Sequence, residues 1–167
     1  MNTRLKIISL VALLLGVCTL LYAGHALNSN HVKATQSPVI AFSYSHRGTS
    51  YDSIYSYEVE ASGNEYRFRF LPAREEDAQT ALMMESDVTA MHEIINRFDL
   101  WKWHGFNKSA SCVLDGAGFT LHILFADGTV IDAHGNNAFP PNHSKAFYEI
   151  KNLFSKYIKE TENGKES

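Results

Sequence analysis

The chain has 167 residues, enough for one domain plus a targeting segment, and an ordinary globular composition of 45% hydrophobic and 20% charged side chains. Its 15 Lys and Arg stand against 18 Asp and Glu, a net charge of −3, and two of the cations, Arg4 and Lys6, fall in the first six residues. With neither a basic stripe nor interleaved arginines and aromatics, the composition excludes nucleic acid as an expected partner.

After Lys6, residues 7–24 carry no charged side chain. As a helix that run would reach ~27 Å, about the thickness of a bilayer core. Gly24 and Ala26 supply the small-x-small pattern for signal-peptide cleavage before Leu27. Residues 1–26 are therefore expected to be a signal peptide, with a retained membrane anchor as the alternative. In that alternative, membrane contact rests on residues 7–24 alone. A third reading lipidates Cys18, although the preceding Val17 is bulky for that position. Under each, the basic end stays cytoplasmic. The domain is expected to be extracytoplasmic, secreted or anchored at the outer face of the cytoplasmic membrane.

Residues 27–37 read as a polar linker and residues 38–160 as a single domain. A first strand is expected over residues 39–44, then a Gly/Ser-rich connection over 45–53. Residues 54–61 and 65–71 form a hairpin whose register follows from its letters. A two-residue turn at Gly63-Asn64 pairs Ala61, Val59 and Tyr57 with Tyr66, Phe68 and Phe70, and Glu60 and Glu58 with Arg67 and Arg69. Glycine first in the turn suits type II′. Residues 74–77 form a charged loop, and residues 79–85 lean towards a short strand.

Val88, Met91, Ile94, Ile95, Phe98 and Trp101 recur at helical spacing, with Ser86 as the expected N-cap. His92 lies off that stripe and reads as exposed. Cys112 is the domain's one cysteine, so no intramolecular disulfide is expected, and it reads as a small buried residue rather than a nucleophile.

Phe119, Leu121, Ile123 and Phe125 alternate with Thr120, His122 and Leu124 in the pattern of a half-buried strand. A two-residue Asp127-Gly128 turn would bring Asp132 and His134 onto the buried face. A three-residue loop with Gly128 left-handed brings Ile131 and Ala133 there instead, and the penalty on buried polar groups selects it. His122 then lies opposite Asp132, with His134 on the same face. Pro140-Pro141 stops anything helical before an amphipathic helix over residues 144–158, capped by Asn142 or Ser144. Residues 161–167 read as a disordered tail. The expected fold is α+β: an antiparallel sheet of about five to six strands built from hairpins, with two amphipathic helices packed on one face.

Two surfaces are candidates for function. Trp103 and Phe106, with Asn136, Asn137 and Phe139 of the Gly135–Asn142 loop, could form an aromatic platform for an envelope protein or a glycan. Trp101 extends the helical stripe, so Trp103 is the tryptophan expected to face out. His122, Asp132 and His134 could instead hold zinc or a similar metal in an envelope enzyme. Outside that alternative no cofactor is expected, and no hydrolase, P-loop, kinase or CxxC pattern nominates a reaction.

Trp103-His104-Gly105-Phe106, Leu114-Asp115-Gly116, Asp127-Gly128, Ala133-His134-Gly135-Asn136-Asn137 and Phe139-Pro140 together carry a resemblance. Over roughly residues 39–157 the chain resembles a family of bacterial exported and lipoprotein-type domains of unknown function. The lipoprotein members differ in their leader, since no good lipobox is present here. The resemblance implies an envelope-facing domain and assigns no catalytic residue. The reading is thus an exported, non-catalytic binding module.

Overall fold

Phe42, Tyr44 and His46 alternate with Ser43, Ser45 and Arg47, which makes β1 (Val39–Arg47) a strand with one apolar and one polar face. The computed structural model of the chain describes residues 36–50, 53–110 and 116–159. The leader with Cys18, residues 27–35 of the linker, Cys112 and the tail lie outside the described residues. Among those described, no helix is long and apolar enough to cross a membrane.

The remaining strands are β2 (Ile54–Ser62), β3 (Glu65–Pro72), β4 (Gln79–Leu82), β5 (Phe106–Ser109), β6 (Gly118–Phe125) and β7 (Val130–Asn136). They form one sheet in the order β4-β3-β2-β1-β6-β7-β5. Every neighbouring pair is antiparallel except β5 with β7. The architecture is α+β, with seven strands where five to six were expected. The additional strand, β5, is the segment Phe-Asn-Lys-Ser. It is too short and polar to show a period, and only the edge of β7 defines it. β1 also runs three residues beyond the expected Tyr44, through the Ser45–Arg47 stretch read as connection.

Both hairpin registers follow the side-chain pattern. Glu58 pairs with Arg69 and Val59 with Phe68 across a turn in which Gly63 has φ 61°, the left-handed first position of a II′ turn. In the β6–β7 hairpin Gly128 has φ 82°, Phe125 N–H donates to Thr129 O, and His122 faces Asp132.

Helices α1 (Glu85–Arg97) and α2 (His143–Ser155) lie over the apolar face. Val88, Met91, Ile94 and Ile95 of α1, and Ala146, Ile150 and Phe154 of α2, join Phe42, Tyr57, Phe68, Leu121 and Ile123 of the sheet in one core. Phe154 stacks on Phe68 with ring centroids 4.9 Å apart. The start of α1 departs from expectation. The N-cap position falls on Met84 rather than Ser86. A tertiary contact does the capping: Met84 N–H donates to the Tyr157 hydroxyl at 3.0 Å, and that hydroxyl donates to Asp87. Lys156 completes the cluster, 2.6 Å from the buried Asp87 carboxylate. Burial pushes the Asp87 pKa up, but the hydrogen bonds from Lys156 and Tyr157 outweigh it and hold the pKa below its ordinary 3.8. His92 is not an exposed imidazole either. Its Nε2 accepts the Val39 N–H at 2.9 Å, and its ring meets Phe125 edge-on.

Candidate functional site

Of the expected aromatic platform, Trp103 is core, Phe106, Asn136 and Asn137 are half-buried, and Phe139 stays exposed. α1 ends at Arg97, Asp99 turns left-handed at φ 56°, and a 3-10 turn over Leu100–Trp103 follows. That break in helical period reverses the expected roles: Trp103 is 2% exposed, while Trp101 is half-buried. Trp103 meets Phe119 and His143 at centroid distances of 6.1 and 5.6 Å. Phe106 and Phe139 also pack on Phe119, at 6.2 and 5.8 Å, leaving Phe139 42% exposed. The structure brings Trp103, Phe106 and Phe139 together around the buried Phe119 ring, with Trp103 inside and Phe139 at the surface.

Asn136 and Asn137 shape the backbone beside them. The Asn136 carbonyl accepts from Ala110 N–H, and Asn137, at φ 52°, donates its N–H to Ala117 O.

At the centre of this nest lies His143, buried at the start of α2. Burial, with a smaller contribution from His46, pushes its pKa down to about 4. Burial likewise raises the Tyr44 phenol well above its ordinary value, so the hydroxyl keeps its proton, and it is hydrogen-bonded to the neutral His143 ring at Nε2, 3.1 Å away. His46 stacks on Phe147 at 5.2 Å, and its buried Nδ1 has no hydrogen-bond partner among the described residues. Carrying the β1 alternation past Tyr44 would have placed Tyr44 and His46 on the core face.

Among the described residues, no α-helix lies over the opposite face of the sheet. Strand register sets its side chains in rows. One row runs His134, Thr120, Ser45, Ser56 and Leu71; the next runs Asp132, His122, Ser43, Glu58 and Arg69. Hydrogen bonds join neighbours within rows, Thr120 Oγ1 with His134 Nδ1 at 3.1 Å and Ser45 Oγ with Ser56 Oγ at 3.3 Å, and an ion pair joins Arg69 to Glu58 at 3.2 Å. His122 Nδ1 lies 2.6 Å from Asp132 Oδ1, with side chains 46% and 59% exposed.

His122, Asp132 and His134 therefore share a face as the register requires, but they do not converge. His134 is turned to Thr120 in a separate row. Among the described residues no three His, Cys, Asp or Glu side chains form a group that could hold a metal ion. The pair acts as a cross-strand contact, and Asp132 N–H adds a hydrogen bond to His104 Nδ1 at 3.2 Å. A groove of about 710 Å³ opens at the Arg47 end of this face, walled by Ile54, Leu71 and the Pro72–Ala78 segment.

No protein-family model matches the chain, and no curated protein matches it.

Proposed function

We propose that the chain is an exported, non-catalytic recognition domain whose contact surface is the helix-free face of the sheet. The observation behind this reading is the asymmetry of that sheet. Aromatic side chains and two helices fill one face, while hydroxyl, imidazole and charged groups stand in rows on the other. Such a face presents hydrogen-bonding groups about 4.8 Å apart across strands and about 6.7 Å along them, on a scaffold that cannot easily deform. Fixed polar spacing of this kind suits a glycan or the polar surface of an envelope protein. Export is supported by Arg4 and Lys6 ahead of the uncharged run 7–24, and by the resemblance to envelope-facing domains.

Titration of the ¹⁵N-labelled protein with soluble cell-wall glycan fragments tests the reading. Amides of Ser43, Ser45, Thr120, His122 and His134 are expected to shift, and Thr120→Arg should abolish the response. Shifts confined to the helices, or an unchanged response in Thr120→Arg, would sink it. Zinc is expected to leave the melting temperature unchanged; a ligand at a hundred times its dissociation constant would add about 2.7 kcal/mol.

A further inference from the structure

We propose that the open face binds an acidic saccharide, with Arg47 holding the carboxylate of a sugar acid and the neighbouring row of hydroxyls holding its ring. This inference rests on the open face being the contact surface and names the ligand class that the face takes. Register fixes where Arg47 stands. It pairs with Gly118 of β6 on one side and Ile54 of β2 on the other, and Gly118 pairs in turn with Asn136 of β7. These four make a row of their own, next to the row of His134, Thr120, Ser45 and Ser56.

Gly118 decides where the guanidinium lies. A Cβ at position 118 would stand 3.4 Å from Arg47 Nη2 and 3.7 Å from its Nε, so the group extends over β6 where a side chain is missing. No counter-charge holds it there: among the described residues Arg47 makes no ion pair. The charges of the row beyond the hydroxyls are matched within it, Asp132 with His122 and Glu58 with Arg69. Among the described residues neither Arg47's row nor the hydroxyl row contains a carboxylate. One cation is thus left over on this part of the face, at a fixed place. A guanidinium with its donors free pairs with a carboxylate in two parallel hydrogen bonds. The hydroxyls of Thr120, Ser45 and Ser56 stand one row away, about 6.7 Å along the strands, roughly the length of one pyranose ring with its carboxylate. Each hydroxyl has one donor and two acceptor sites, so the bonds of Thr120 to His134 and of Ser45 to Ser56 leave capacity for sugar hydroxyls. Ile54, 39% exposed beside Arg47, offers the C–H side of the ring an apolar surface.

Titration of the ¹⁵N-labelled full chain with digalacturonate, its uncharged dimethyl ester and inorganic phosphate tests this. Digalacturonate should bind saturably, about tenfold or more tighter than the ester and tighter than phosphate. The Arg47 Nε–H signal and the amides of Ser45, Gly118 and Thr120 should shift. Arg47→Gln should lower digalacturonate binding to the level of the ester at unchanged circular dichroism. Arg47→Lys should fall between, because an ammonium keeps the charge and loses the fork. No binding of digalacturonate, equal binding of its ester, phosphate binding as tightly, or an Arg47→Gln variant that binds like the parent overturns the proposal. If that happens while cell-wall glycan fragments still shift Ser43, Thr120 and His122, the acidic-ligand proposal falls alone and the open-face reading stands.

Discussion

Gly135 sits where the chain leaves no space for a side chain. A Cβ there would meet the Ala138 carbonyl oxygen at 2.1 Å and Phe119 Cε1 at 2.5 Å. The oxygen belongs to the backbone of the turn that Asn137 makes, so it cannot swing aside. Gly135→Ala is expected to cost about 2–3 kcal/mol, read as a lower urea midpoint at unchanged slope. Gly63→Ala is the informative contrast, because nothing lies within 4 Å of its Cβ position and only the φ of 61° opposes it. About 1 kcal/mol is expected there. Tyr44→Phe tests a different kind of contact. It removes the hydrogen-bond partner of His143 Nε2 inside a nest of aromatic rings, and a buried polar group left unsatisfied costs about 1–3 kcal/mol.

Between elements, the cluster of Asp87, Lys156 and Tyr157 ties the first turn of α1 to the end of α2. Asp87→Asn keeps the shape but removes the charge that Lys156 answers. Faster amide hydrogen exchange is expected at Met84 and at Tyr157 to Lys159, ahead of any change in the sheet. The elements that were legible in the sequence share one property: their local pattern and their tertiary environment agree. Alternation and turn chemistry specified both hairpins to the residue, including His122 opposite Asp132. Where tertiary contacts overrode local pattern, legibility was lost. Trp103 was read outward because helical spacing was carried past Arg97, while the left-handed Asp99 resets the phase. Phe106–Ser109 has no period of its own and becomes a strand only by pairing with β7. The open-face rows needed pairing across five strands, which no single stretch of sequence displays.

For the molecule as a whole, three partly or fully buried imidazoles set the response to acid. Burial lowers the pKa of His46, His92 and His143, the last to about 4 from 6.5. The unfolded chain therefore binds more protons than the folded one once the pH drops below about 6.5. Melting temperature is expected to hold steady from pH 8 to 7, then fall as the pH goes from 6.5 to 4. His143 accounts for up to roughly 3 kcal/mol of that fall, and His143→Gln should flatten the curve. Asp87 acts in a lower window: its depressed pKa contributes stability above 3.8 that is lost as its carboxylate protonates. The place of β1 has a kinetic consequence. It is the first strand among the described residues, yet it lies in the middle of the sheet and pairs on one side with β6, whose residues begin at Gly118. The hairpins β2–β3 and β6–β7 can each close locally, but the seam joining them waits for a strand some seventy residues further on. A chain drawn through a membrane with the segment after its leader in front, as export of this one would require, would have most of its length across before its tertiary structure could lock, and so would stay extended enough to pass.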